Sequence, residues 1–412
     1  MKLLRLASVY PGYSDQFYAA HPDLPGKSYQ EQCDAFFYDA FAWADSWKVA
    51  LRPVGYEVEE IAWNLAPMQQ AWARENLPRS STIPDARSIA VEQVKRFAPD
   101  ILWFDDHDAD LLRRIRESVP AIRLVAGWTG SAIPRHNALA YCDVVLSCSR
   151  ESVERLAKLG HSAAELHHGF DPRILSRLKP ARDSHDLIFI GQLIRDSEFH
   201  IAREKLLEDL VAALPIRIFS PSPRLTPLTR TKRLAKYGIS SAYRLARAAG
   251  GGRLAVGLLR AAGGSEAWLR PAAPVNPSLM PHMTDGIYGL KMYQTVRDSK
   301  ITLNIHADSS DRFASNMRLF EVTGVSGCLL TDWKPNLSEM FELDKEVVAY
   351  RSPAECIEKA RWLLGNADTR AAIARAGQAR TLREHTFAHR AQRMDEILRA
   401  ALRRRLDHVS AS

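Results

Sequence analysis

Apolar residues along the chain fall into two alternating rhythms: short runs of aliphatic and β-branched residues, and longer stretches whose apolar positions recur at helical spacing. Residues 143–148, DVVLSC, read as a strand. Ser149 then reads as a helix N-cap, RESVERLAKL follows at helical period, Gly160 marks the stop, and AAELHH opens the next strand. ILWF (101–104), the helix LLRRIRESV (111–119) and the strand AIRLVAGW (121–128) repeat the unit upstream. The first 65 residues predict a strand LLRLASV, a loop rich in Pro and Gly, one helix near 28–51 and a strand YEVEEIAW.

The polar, Pro-containing segment DPRILSRLKPARDSHD (171–186) interrupts this rhythm and reads as a linker. Beyond it the alternation restarts. It gives strand LIFIGQL (187–193), a helix at about 198–213, strand IRIFS (216–220), helix YGLKMYQTVRDS and strand KITLNIH (300–306). Helix MRLFEVTGV, strand GCLLTD (327–332), strand EVVAY (346–350) and closing helices complete it. The predicted class is therefore α/β, two Rossmann-like, doubly wound domains facing a central cleft, with ligands at the carboxyl ends of the strands. The boundaries fall at 1–175 for an N-terminal acceptor-side domain and 184–385 for a C-terminal donor-side domain with a basic insert at 222–285. Residues 386–412 are expected to form a helix that packs back on the first domain.

Composition narrows the function classes. Five cysteines form no C-x-x-C pair and no zinc-like cluster, so a disulfide framework or structural zinc site is not expected. No apolar run suits a signal peptide or a membrane span, which leaves the expectation of a cytoplasmic protein, peripheral on a membrane at most. The net charge of +8 is concentrated in 222–273, where ten Lys or Arg face one acid, Glu266. In TRTKRLAKYGISSAYRLARAAGGGRLAVGLLRAAGG the basic residues alternate with Leu, Ala, Val and Tyr in two helix-like pieces. Such pieces suit either an anionic membrane surface or a structural lid. Aromatic interleaving of the kind that binds nucleic acid is absent, so no nucleic-acid partner is expected.

Three stretches carry candidate chemistry. In S315-N-M-R-L-F-E-V-T-G-V-S-G-C-L-L-T-D332, Asn316 is expected to cap a helix whose free N–H groups face a diphosphate. Arg318 would offer that phosphate a bidentate fork, and Glu321, on the same face, would accept from ribose hydroxyls. Gly324 and Gly327 would permit a tight turn into the next strand. An ordinary Arg318–Glu321 surface pair is the plainer alternative. In W103-F-D-D-H-D-A-D110, Asp105, Asp106 or His107 at a strand's carboxyl end would act as base for, or position, an acceptor hydroxyl. The alternative is that Asp108 or Asp110 caps the helix and the rest is solvated loop. Asp106-His107-Asp108 also reads formally as a metal-holding D-x-D, but that belongs to a one-domain layout, and no metal site is predicted. Third, Gly191 and Gln192 follow a strand where backbone can approach phosphates, and His306 ends another strand as a donor contact. His167 and His168 point opposite ways on a strand, and Tyr10-Pro11-Gly12-Tyr13 is a candidate part of the acceptor side.

The stretches KITLNIH through NMRLFEVTGVSGCLLTD, YRSPAECIEKARWLL and REHTFAHR resemble the C-terminal half of the CgeB-like (spore maturation protein) glycosyltransferases, over about residues 287–392. The resemblance implies the two-domain GT-B fold and kinship with the family-four retaining transferases. It also implies that Glu321 holds the donor's ribose, with Asn316 and Arg318 near the diphosphate. Family-four enzymes carry another Glu eight residues earlier; Phe313 stands there in this chain, so the E-x7-E pattern is half present and stereochemistry is left open. The implied activity is transfer of a sugar from a nucleoside-diphosphate sugar to the hydroxyl of a glycan or lipid-linked acceptor in cell-surface polysaccharide synthesis, with no obligatory cofactor. A sugar-nucleotide 2-epimerase and a non-catalytic nucleotide- or glycan-binding module are the rival classes.

Overall fold

The computed structural model describes residues 1–78, 84–130, 133, 137–193, 201–221, 227–250, 252–261, 276–307 and 311–411. Its strands form two sheets of six, and every registered pair is parallel. The first contains β1 (Lys2–Ala7), β2 (Glu57–Ala62), β3 (Ile101–Asp105), β4 (Leu124–Thr129), β5 (Val144–Ser147) and β6 (Ala163–Glu165), in the order β2-β1-β3-β4-β5-β6. The second contains β7 (His185–Ile190), β8 (Ile216–Ser220), β9 (Met283–Asp285), β10 (Ser299–Asn304), β11 (Leu329–Asp332) and β12 (Val348–Tyr350), in the order β12-β11-β10-β7-β8-β9. By proximity the chain divides into two compact units. One comprises Met1–Asp186, Ile287–His306 and Ser310–Ser412; the other is chiefly Leu187–Gly286.

Period-two alternation explains how the first sheet is covered on both faces. Leu3, Trp103, Leu124 and Leu146 share one face with Trp47 and with Met394 and Leu398 of the helix Phe387–Ala411. Leu4, Leu6, Leu102 and Phe104 share the other with Val94, Leu112 and Ile115. Arg5 lies in register between Leu3 and its odd-numbered neighbours, so alternation alone buries a cation under the tryptophan face. Its guanidinium lies 4.6 Å from the Trp43 ring and 5.3 Å from that of Trp103.

The single helix expected near 28–51 is broken. A Ser28–Glu31 capping box starts the helix Tyr29–Tyr38, and a second, Ser46–Leu51, follows an irregular stretch. Within that stretch Ala40, Ala42 and Ala44 all take left-handed backbone angles, with φ of 55°, 52° and 43°. Each costs an L-residue about 1–2 kcal/mol. The cost is offset by what the intervening side chains gain. The Phe41 ring stacks on Tyr13 at 3.8 Å, Trp43 packs against Trp103 and Trp128, and the Trp43 Nε1–H donates to His168 Nδ1 at 3.1 Å. Alanine is the strongest helix former, so the sequence text carries no turn signal here.

The loop expected after β1 instead holds the helix Pro11–Ala20, which Pro11 opens at a first-turn position; most of the other expected elements are present. Ser149 caps the helix Arg150–Lys158 by accepting from the Ser152 N–H, and Gly160 follows it at φ 85°. In the second unit the basic insert forms the helices Pro227–Ala248 and Gly252–Ala261. Tyr243, Ala246 and Ala255 make a small core with Ile239 and Leu258, while Leu245, Leu254 and Val256 remain exposed. Its last residues form a 3-10 turn at Pro277–His282 and the strand β9, while 222–226, 251 and 262–275, with Arg224, Glu266 and Arg270, lie outside the described residues.

Candidate functional site

The carboxyl ends of β10 and β11 hold a network of short polar side chains. Asn304 and Asn316 exchange amide hydrogen bonds at 2.7 and 3.3 Å, and the Asn304 amide also donates to Thr331 Oγ1 at 2.9 Å. Two residues past β10, the buried His306 ring places Nδ1 2.7 Å from Asp332 Oδ1, which also accepts from the His306 backbone N–H at 3.1 Å. Burial would raise the Asp332 carboxyl, but the His306 ring, Lys334 and the His306 N–H bring it below its ordinary value. An ionised carboxylate only accepts, so the imidazole proton sits on Nδ1. His306 Nε2 is buried and has no hydrogen-bond partner among the described residues. A buried polar atom of this kind takes its partner from a ligand or from ordered water.

Asn316 does not cap the following helix, contrary to expectation. The helix Arg318–Gly324 begins after Met317 with no side-chain cap, because the Asn316 amide is engaged by Asn304. Arg318 and Glu321 do pair, at 2.9 Å, yet this is no surface pair: their side chains are 16% and 8% exposed. Tyr293, buried, hydrogen-bonds the Glu321 carboxylate, and its hydroxyl is held well above the ordinary tyrosine value by burial first and by Glu321 next. The turn into β11 is made by Ser326, at φ 63°, and not by the two glycines flagged in the sequence. Gly324 and Gly327 serve close packing. A Cβ on Gly324 would fall 2.3 Å from the Phe170 ring, and one on Gly327 2.9 Å from Val296 and Val322.

At the carboxyl ends of the first sheet the chemistry is ionic. Ala7 and Asp105 are in register on β1 and β3. Arg5 bridges Glu60 and Asp105, each at 2.6 Å, with both Arg5 and Glu60 buried. Burial drives the Glu60 carboxyl up to about 7, although Arg5 and the Lys48 N–H draw it back. The DDHD loop is organised by its own second acid. Asp106 Oδ1 accepts from the N–H groups of His107 and Asp108 at 2.6 and 2.7 Å, and Oδ2 accepts from Trp63 Nε1 at 2.9 Å. Asp108 caps the helix Ala109–Ser118 through the Leu111 N–H. His107 is exposed. Among the described residues no group of three His, Cys, Asp or Glu side chains is arranged to hold a metal ion.

Tyr10 is the N-cap residue of the helix Pro11–Ala20. It is 60% exposed, yet its hydroxyl is raised by surrounding protein first and then by Asp105, Tyr288 and Glu321. Nothing in the sequence text connected Tyr10 with Glu321 or picked out Asp332, Tyr293, Arg5 and Glu60. A short polar residue ending a β-run, as Asp332 does, is the one signal that pointed to any of them.

The other sequence candidates sit as follows. His167 and His168 face different partners: His167 Nε2 lies 3.5 Å from Glu165, and His168 accepts from Trp43. Burial depresses both rings, to about 4 and about 3, so both are neutral at pH 7. Gly191 and Gln192 belong to the second unit. The Gly191 N–H is spent on Phe219 O at 3.0 Å, and the Gln192 carbonyl accepts from Arg203 at 2.9 Å.

Residues 262–396 match a family described as glycosyl transferase-like. No curated protein sequence matches the chain. Among solved structures the chain is similar to Anabaena Alr3699/HepE in complex with UDP and glucose, with a TM-score of 0.51 and 12% identity over 97% of this chain and 99% of that one. It is also similar to AviGT4, a glycosyltransferase involved in avilamycin A biosynthesis, with a TM-score of 0.49 and 12% identity over 98% of both chains. A putative UDP-N-acetylglucosamine 2-epimerase from Listeria monocytogenes gives a TM-score of 0.43 and 12% identity over 98% and 97%. At such identities the likeness to HepE is one of fold. Two parallel six-stranded sheets and a glycosyl transferase-like C-terminal segment together give this chain the GT-B architecture of glycosyltransferases.

Proposed function

We propose that the protein transfers a sugar, a hexose in the first instance, from a nucleoside-diphosphate sugar to an acceptor hydroxyl. The observation that carries this reading is the Arg318–Glu321–Tyr293 set, with Glu321 and Tyr293 buried, together with a strand-end network whose His306 Nε2 is unmatched among the described residues, on a segment matching a glycosyl transferase-like family. Glu321 accepts from the ribose hydroxyls. Arg318, released from Glu321 by that exchange, turns its fork to the diphosphate. His306 Nε2 accepts from a donor hydroxyl or base N–H, while Asn316 holds the loop against Asn304. The departing diphosphate is stabilised by fixed charge and dipoles, so no metal is obligatory.

On the acceptor side the base or positioning group is Asp105, Asp106 or His107; Asp105 is held by Arg5 and Asp106 by its own turn, and His107 is the exposed member. The acceptor is a cell-surface glycan or its lipid-linked precursor. Segment 222–273 then holds the enzyme at the anionic inner face of a membrane, and no described helix is long and apolar enough to cross one. Pelleting with anionic vesicles that is unchanged by deleting 222–273 would remove that last element.

Thermal shift with UDP, GDP, dTDP and CMP tests the donor assignment, with UDP tried first because HepE is seen with it. Glu321→Ala should weaken the stabilising nucleotide about 10–100-fold, the size of a lost hydrogen bond to a charged group. Unchanged affinity in that variant would sink the donor site.

A further inference from the structure

We infer that the helix pair at 227–261 binds an anionic lipid bilayer by inserting Leu245, Leu254 and Val256 below the headgroups. The inference rests on the membrane reading above and deepens it, from attraction by charge to a named apolar wedge. The pair consists of the helices Pro227–Ala248 and Gly252–Ala261, and Gly250, at φ 74°, follows the first of them.

Packing supplies the first argument, because it is inverted relative to an ordinary soluble helix pair. The small core takes Tyr243 and two alanines, Ala246 and Ala255, with Ile239 and Leu258 half-buried at its edge. Leu245, next to Ala246, is 71% exposed, and Leu254 and Val256, on either side of Ala255, are 65% and 49% exposed. Each step along a helix turns by about 100°, so these three flank the seam that the alanines occupy. Leu and Val rank among the residues most often buried, and exposing them while smaller neighbours are buried forfeits the transfer free energy of the larger groups. Scattered single residues of this kind are normal, but three around one alanine seam form a patch, and patches mark interaction sites.

The class of partner follows from charge. Residues 227–261 hold eight Lys or Arg and no acid, while the whole chain has 56 basic and 48 acidic residues, a net of +8. The remainder therefore balances at 48 against 48, and the helix pair carries the entire formal net charge. Basic helices with exposed apolar groups lie in the plane of an anionic bilayer, cations at the headgroups and apolar side chains at the acyl boundary. Lying in that plane also fits their length and polarity, since no described helix is long and apolar enough to cross a membrane. A nucleic acid would answer the charge alone: exposed Leu and Val give its bases nothing to stack on, and Tyr243 is buried.

Co-sedimentation of the full chain with mixed phosphatidylcholine–phosphatidylglycerol vesicles tests the wedge. The triple variant Leu245→Gln, Leu254→Gln, Val256→Gln keeps the charge and a good helix former at each site, and should bind about 10–100-fold more weakly. Its nucleotide-induced thermal shift should match that of wild type. Ala248→Leu adds an apolar group at an exposed position three residues from Leu245, and should bind about three- to tenfold more tightly with the same nucleotide shift. In about 0.5 M salt, where attraction between charges is screened within several Å, wild type should keep part of its binding and the triple variant none. Wild-type affinity in the triple variant, no gain from Ala248→Leu, or complete loss of wild-type binding in high salt would each overturn the inference and leave attraction by charge standing. A wild-type dimer that the triple variant abolishes would give the patch to a second copy of the chain, and tighter binding to a DNA oligonucleotide than to vesicles would give the charge to nucleic acid; either result overturns it too. Vesicle binding that survives deletion of 222–273 would remove the membrane reading itself. A wedge that behaves as expected with no shift from any nucleotide would stand, and the donor reading would fall.

Discussion

The strand ends of the two sheets solve the same problem with opposite chemistry. Past β10 and β11 the polar groups are mostly neutral and nearly saturated: two asparagines lock each other, one carboxylate orients one imidazole, and a single ring nitrogen is left bare. Past β1 and β3 the groups are ionic: one buried guanidinium spans two carboxylates beneath tryptophans. A neutral network fixes direction at little cost in desolvation, which suits a loop that must present one atom to a ligand. A buried ion cluster is held only while all its members remain, which makes it an anchor for the sheet end.

The largest effect should come from breaking that anchor. Arg5→Ala strands Glu60 and Asp105 without their cation, and urea unfolding at pH 7 should register a loss of about 3–5 kcal/mol. Replacing the whole set at once, with Arg5→Met, Glu60→Gln and Asp105→Asn, should cost clearly less, because no charge is then left unpaired. If the single and triple replacements cost the same, the cluster is not acting as an ion pair and the contrast with β10 and β11 fails.

A middle-sized effect separates the two regions by pH. His168, buried against Trp43, keeps its ring neutral down to about 3, whereas in the unfolded chain it protonates near 6.5. The unfolded state therefore binds the extra proton as pH falls below 6.5, and stability drops with it. Between pH 7 and 5 this one group accounts for about 2 kcal/mol. In His168→Asn, which keeps an acceptor for Trp43, the difference between the unfolding free energies from urea titration at pH 7 and 5 should shrink by that amount. An unchanged difference would show that His168 takes its proton in the fold.

These contrasts also mark how far the text of the chain could be read. Parallel βα alternation is a local pattern, and the strands at Ile216–Ser220 and Val144–Ser147 are where their apolar runs place them. The Ser149 cap and Gly160 stop are equally local. Arg318 and Glu321 were legible as a pair because three residues along a helix is a fixed spacing, but their burial comes from Tyr293 and from packing distant in sequence. Asn316 was misread for the same reason: its competing partner, Asn304, sits on another strand. The three left-handed alanines were illegible altogether, since nothing in Ala-Phe-Ala-Trp-Ala shows that two aromatic side chains will find better company outside a helix.

The smallest effect is the most discriminating for the C-terminal network. Asp332→Asn keeps an oxygen to accept from His306 Nδ1 and removes only the charge, so at pH 7 the loss should be about 1 kcal/mol. The wild-type carboxyl is held below its ordinary value, so its contribution is present above about pH 4 and disappears as pH falls through the folded value. Urea midpoints of wild type and variant should therefore differ at pH 7 and converge at acid pH, below the folded value. Equal losses at both pH values would mean that the side-chain contact, and not the charge, holds the imidazole. In that case a neutral amide network of the Asn304–Asn316 kind would extend through Asp332, and nucleotide binding by the Asn variant would match wild type. A charge-dependent loss predicts instead that the variant, with its imidazole less firmly aimed, binds the nucleotide more weakly while Arg5 variants that remain folded do not.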